Sequence, residues 1–122
     1  MTDQAKLALF LLVETLLFAM ASLVHAGVLA SGFEHGRAMI AEGVIGVVLG
    51  LGLLALLIWP ARDPIITLVT QGFALLGTLV GAFTITVGVG PQSRGDAVFH
   101  VVLLLVLLTG IHTACRSRQG RL

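Results

Sequence analysis

The sequence predicts an all-α integral membrane protein, a four-helix bundle running up-down-up-down, and three observations carry that reading. Of its 122 residues, 57% are hydrophobic and only 11% charged, and the mean hydropathy of +1.08 lies outside the range of water-soluble domains. The apolar residues fall into four stretches, Leu7–Ala30, Gly36–Trp59, Pro64–Gly88 and Asp96–Cys115. Each is at or above the ~20 residues with which an α-helix crosses ~30 Å of hydrocarbon. The polar connections are so short that they join only antiparallel neighbours. The expected organisation is a single transmembrane domain over residues 1–122.

The first stretch follows Lys6 and contains the small-residue string Ala19-Met20-Ala21-Ser22, a combination shared with cleavable signal peptides. Its apolar run continues past that string to Ala30 and carries Glu14, so a retained transmembrane helix is expected. Pro60 closes the second stretch, and Asp63-Pro64 reads as an N-cap followed by proline at the first helical position of the third. Pro91 closes the third. Asp96, following Gly95, reads as the N-cap of the fourth.

A twofold internal repeat is suggested by spacing: Glu14 and Gln71 are 57 residues apart, as are Arg37 and Arg94, and Glu42 and His100 are separated by 58. These pairs superpose the first two helices on the last two in the same orientation, a parallel 2+2 repeat about the membrane normal. Helix contacts in lipid depend on close approach of backbones, and Gly46-x-x-x-Gly50 and Gly77-x-x-x-Gly81 are small-residue faces suited to it. Either face serves packing within the bundle or a homodimer. In the third helix the Gly77/Gly81/Gly88 face lies about 100° from a Thr67–Gln71–Thr78–Ala82 stripe, giving that helix two contact surfaces.

Lys6, Arg62, Arg116, Arg118 and Arg121 flank one side of the spans, and Arg37 and Arg94 the other. By the positive-inside rule this bias places both termini in the cytoplasm, in a plasma (inner) membrane. A net charge of +1 provides no basic stripe for nucleic acid. The lone cysteine, Cys115, has no partner for an internal disulfide.

Ionisable side chains at membrane depth are costly unless they face the interior and find partners, so each is a candidate functional group. On the outer side, His25 lies ~7 Å below the end of its stretch, with Glu42 and His100 at ~9 and ~6 Å, so three groups from three helices share one level. Glu34, His35, Arg37, Arg94 and Asp96 form a charged outer mouth around them. On the inner side, Glu14 and Gln71 lie ~10 Å from the cytoplasmic face. The cost of burying Glu14 falls if it is protonated, since a neutral carboxyl donates to the Gln71 amide. His112 is expected at the interface among Arg116 and Arg118. Glu14 and His25 are three helical turns apart and share one stripe with Phe18, Ala21 and Ser22. If Thr78 and Thr86 face the same interior, a discontinuous polar track joins the two levels.

These residues suit several functions. A protonation-coupled site for a small ligand or ion would use His25, Glu42, His100, Glu14 and Gln71. A divalent metal would take His25, Glu42 and His100 as ligands. A b-type haem would take His25 and His100 as axial ligands, because two imidazoles from separate helices at one depth meet that requirement. An accessory role in a larger membrane complex needs no site. No nucleophile motif, phosphate loop or Cys/His metal spacing points to an enzyme.

Overall fold

Each apolar stretch forms one helix, and the caps decide where it starts and stops. The computed structural model describes residues 1–122 as α1 Asp3–His25, α2 Gly36–Ile58, α3 Asp63–Thr86 and α4 Arg94–Gln119, with a 3-10 turn, Pro60–Arg62, between α2 and α3 and no strands. All four are long and apolar enough to cross a membrane. At ~1.5 Å per residue they measure about 35–40 Å. Both termini and the α2–α3 turn lie at one end of the bundle, called here the terminal end. The α1–α2 and α3–α4 turns lie at the distal end.

The Thr2 hydroxyl caps α1 by accepting from the Ala5 N–H at 3.2 Å. The helix stops at His25, five residues short of the expected end. Gly27 takes a φ of +77°, and the Val28 and Leu29 amides both return to the Leu23 carbonyl. Hydropathy reads Ala26–Ala30 as more helix, but a left-handed glycine ends the helix regardless of how apolar its neighbours are. The end of α3 repeats the device: Gly88 has φ +81°, and the Val89 and Gly90 amides both return to the Thr84 carbonyl. The two helix hairpins thus share a turn design at the distal end.

Two caps differ from the sequence reading. The N-cap of α4 is Ser93, whose hydroxyl accepts from the Asp96 N–H at 3.1 Å while the Asp96 carboxylate accepts from the Ser93 N–H at 3.3 Å. Asp96 therefore closes a capping box from inside the helix. Asp63 is likewise the first residue of α3 and not its cap. It is fully buried, with the Arg121 guanidinium 2.6 Å from Oδ1 and donating through Nη2 to Oδ2 at 3.0 Å.

In cross-section α1, α2, α3 and α4 follow one another round a square, with α1 and α3 meeting only across the diagonal. The interior is a column of Leu7, Leu11, Phe18, Ile45, Leu49, Leu56, Ala74, Leu103, Leu107 and Ala114. Large apolar side chains such as Leu16, Val47, Leu51, Leu76 and Leu105 point outward. In water such a belt would be an aggregation surface; in a bilayer it is the lipid contact. The hydroxyls of Thr15, Thr67, Thr70, Thr78, Thr109 and Thr113 donate to carbonyls four residues back, so they add no unpaired polar group to the spans.

The small-residue faces are used inside the chain. A Cβ on Gly46 would meet Phe18, and one on Gly50 would meet Thr15, so this face seats α2 on α1. A Cβ on Gly77 would come within 2.5 Å of Ile45 in α2, and one on Gly81 within 2.7 Å of His100 Nε2 in α4. Both small-residue faces therefore meet neighbouring helices of the same chain.

Arg121→Ala strips the buried Asp63 carboxylate of its counter-charge. Because the guanidinium is itself half-exposed, the expected loss is about 1–2 kcal/mol. Unfolding in mixed micelles at increasing denaturing detergent would measure it, and Asp63→Asn in the same background should recover part of it.

Candidate functional site

His25, the last residue of α1, is 4% exposed because the 26–35 loop and the first turn of α4 close over it. The loop is tied back where the His35 amide donates to the His25 carbonyl at 2.9 Å. His25 Nδ1 is hydrogen-bonded to Glu42 Oε2 in α2 at 2.7 Å, and Nε2 to Asp96 Oδ1 in α4 at 2.9 Å. A single imidazole thus joins three helices. Beside it, the Ser22 hydroxyl donates to the Met39 carbonyl at 2.8 Å and locks α1 to α2 a second time.

Proton counting sets a minimum for this trio. Each N···O contact needs one proton between its two heavy atoms, so imidazole and two carboxyl groups together hold at least two. With those two alone the trio carries one net negative charge, whichever atoms formally hold the protons, and a third proton on the free Glu42 oxygen makes it neutral. The ion pairs of the chain join Lys6 to Asp3, Arg121 to Asp63, and His25 to its two partners. No Lys or Arg pairs with the trio.

The remaining oxygens of the trio are unequally occupied. Asp96 Oδ2 accepts from the backbone N–H and the hydroxyl of Ser93. Glu42 Oε1 makes no hydrogen bond within the chain, and it is not among the fully occluded unpaired atoms. Glu42 lines a cavity of about 230 Å³ formed by α2, α3, α4 and the loop before α4, with Phe18 of α1 and His35 completing its wall. His25 and Asp96 line a separate, wider-mouthed hollow of about 320 Å³ together with Met20, Val24, Phe33 and Phe99.

His100 lies on the Glu42 side, in the wall of the smaller cavity. Its Nδ1 donates back to the Asp96 carbonyl at 2.9 Å. A carbonyl only accepts, so Nδ1 carries a proton, and in the neutral tautomer Nε2 is the lone pair. His35 caps α2, accepting from the Ala38 N–H at 3.2 Å, and packs edge-on to His25 with ring centroids 6.3 Å apart. Arg37 reaches the mouth of the cavity. Arg94 is exposed and lines neither cavity, and Glu34 is occupied locally by the Gly32 N–H at 2.8 Å.

The sequence-predicted level of His25, Glu42 and His100 therefore resolves into a bonded trio of His25, Glu42 and Asp96, with His100 beside it. Asp96, placed at the mouth as a helix cap, is the residue underrated by sequence. Its signal was Ser93 three positions earlier, which marks a capping box and puts the Asp96 side chain inside the first turn.

The metal and haem expectations fit this geometry poorly. Both His25 nitrogens are engaged by carboxyl oxygens, leaving neither free for a metal or for an axial haem bond. Nor do any three of the His, Cys, Asp and Glu side chains form a group arranged to hold a metal ion.

The second level is bonded as its depth suggested. Gln71 Nε2 of α3 donates to Glu14 Oε1 of α1 at 2.8 Å across the diagonal, with both residues fully buried. Glu14 Oε2 and Gln71 Oε1 are left without partners. Gly110 of α4 makes the room: a Cβ there would collide with the Gln71 amide and the Glu14 carboxylate. The polar track between levels is interrupted. Phe18, 1% exposed, fills the α1 stripe between Glu14 and His25, Thr78 is bonded to its own helix, and Thr86 is exposed. His112 is exposed near the end of α4.

Gly110→Ala forces a methyl into the Glu14–Gln71 contact and should cost about 1–3 kcal/mol. Gly72→Ala on α3, where a Cβ meets nothing within 4 Å, should instead gain about 0.5–1 kcal/mol from helix propensity. Thermal unfolding of both variants in one detergent provides the comparison.

Compared with models of protein families, with curated proteins and with solved structures, the chain matches none.

Proposed function

We propose that this small membrane protein binds or moves a small ligand or ion in step with protonation. His25, Glu42 and Asp96 are its distal titrating group, His100 is their neighbour on the cavity, and Glu14 with Gln71 is a second, separate proton-holding level. The observation that carries the reading is the buried imidazole held at both nitrogens by carboxylates from two other helices, with one negative charge left over and no Lys or Arg to balance it. Removing such charges from water costs several kcal/mol per ion. Neutral amides would lock the same helices at lower cost, so a group that exchanges protons is a better account of these residue types than packing alone.

The Glu14–Gln71 pair supports the same reading. A proton on Glu14 Oε2 turns an unpaired buried acceptor into a donor, and the pair has no basic partner. Phe18 lies between the levels, so the two groups exchange protons independently in this conformation. The Lys and Arg bias supports a plasma-membrane setting in which the terminal end faces the cytoplasm and the cavity faces outward.

Infrared difference spectra of the protein in lipid, recorded between about pH 5 and 9, test the proposal across the range in which His-centred groups exchange protons. The expected spectrum contains carboxyl stretching changes, one component lost in Glu42→Gln or Asp96→Asn and another lost in Glu14→Gln. A wild-type spectrum with no carboxyl change over that range would leave the trio as a static lock and end the proposal.

A further inference from the structure

The smaller distal cavity carries an inference about ligand chemistry that rests on the protonation reading of the trio. With only the two protons that their mutual hydrogen bonds need, His25, Glu42 and Asp96 carry one negative charge. Of the four carboxylate oxygens involved, three are engaged, and the one left over is Glu42 Oε1, on the residue that lines the cavity. In the same cavity wall, the neutral ring of His100, its Nδ1 committed to the Asp96 carbonyl, offers Nε2 as an acceptor. The polar end of the cavity therefore holds two acceptors and a negative charge. The rest of its wall is largely apolar, with Phe18, Ile45, Leu103 and Val80.

We infer that this cavity binds a small primary or secondary organic ammonium ion, its N–H groups directed at Glu42 Oε1 and His100 Nε2 and its short carbon chain lying against the apolar wall. An ammonium nitrogen supplies several donors and one positive charge, matching both acceptors and the uncompensated carboxylate. Water supplies donors without the charge. A hard metal cation would want four to six ligands where the cavity has two. The volume of about 230 Å³ falls below the roughly 300–1,000 Å³ of drug-sized pockets, so the ligand has only a few carbons. Gly81 keeps the polar end open, since a Cβ there would stand 2.7 Å from His100 Nε2. Arg37 is the one Lys or Arg in the lining, and it is exposed, so water screens its charge more than that of the buried carboxylate.

The test is calorimetric titration of the protein in lipid nanodiscs, with empty nanodiscs subtracted. n-Butylammonium chloride is the probe, n-butanol the neutral counterpart, and tetramethylammonium the cation without N–H donors. Butylammonium should bind saturably, and the other two should bind about tenfold more weakly or not at all. Glu42→Gln should weaken butylammonium by about tenfold or more through loss of the charge-assisted hydrogen bond. Because Glu42 also holds His25, Ala41→Phe serves as a second variant: it fills the cavity mouth without touching the trio and should abolish binding. Absence of butylammonium binding to the wild type overturns the inference. So does binding that is equal for butanol, or unchanged in both variants. If the wild type shows the carboxyl infrared change but no butylammonium binding, the ligand class is wrong and the protonation reading stands. If neither is seen, both fall.

Discussion

Desolvation of His25 and its two carboxylates is the constraint around which the distal half of this bundle is arranged. In hydrocarbon or a dry interior, an ionised group without partners is prohibitively costly, and the trio survives there because each ring nitrogen meets an oxygen at hydrogen-bond distance. Those contacts tie the last residue of α1 to the second turn of α2 and the first turn of α4. They also explain why α1 ends where it does. Gly27 turns the chain so that the His35 amide returns to His25, and the loop then roofs the imidazole. Asp96 serves two purposes, capping α4 with one oxygen and holding His25 with the other, so the start of α4 and the position of the ring are set together.

Polar contacts recur at two further depths, and each joins different helices. Glu14 and Gln71 connect α1 to α3 through the centre of the bundle, and Asp63 and Arg121 connect the start of α3 to the chain beyond α4 at the terminal end. Lipid gives helices little hydrophobic reason to associate, so such contacts and close backbone approach carry the association. The glycines supply the approach: Gly46 and Gly50 seat α2 on α1, Gly77 admits Ile45, and Gly110 leaves space for the Glu14–Gln71 contact. The Phe18 layer keeps the distal and central levels apart.

Much of this was legible in the residues. The four spans follow from uninterrupted hydropathy, and the pairing of Glu14 with Gln71 follows from shared depth and the scarcity of other partners for a buried carboxylate. The meeting of His25 with Glu42 was legible for the same reason. The fate of His100 was not. It shares their level, yet its ring turns back one helical turn to the Asp96 carbonyl and offers only Nε2 to the cavity. Arg94, placed with the outer charges by sequence, stays in solvent. Asp63 looked like an N-cap because Asp-Pro so often starts a helix; its tie to Arg121 joins residues 58 apart in the chain and has no local signature.

The sequence by itself determined the class of protein, the number of helices, their alternating direction and the shared levels of Glu14 with Gln71 and of His25 with Glu42, because all four depend on local quantities: apolar length, capping chemistry and a fixed rise per residue. Only the tertiary structure decided which polar groups touch and which atom is left free. That depends on how each helix is rotated about its axis, and rotation is set by side chains of the neighbouring helices interlocking over glycines. A shift of one residue in that rotation moves a side chain by about 100° while barely changing its depth. Shared level was therefore readable along the chain, whereas the free oxygen of Glu42 emerged only once four helices had packed.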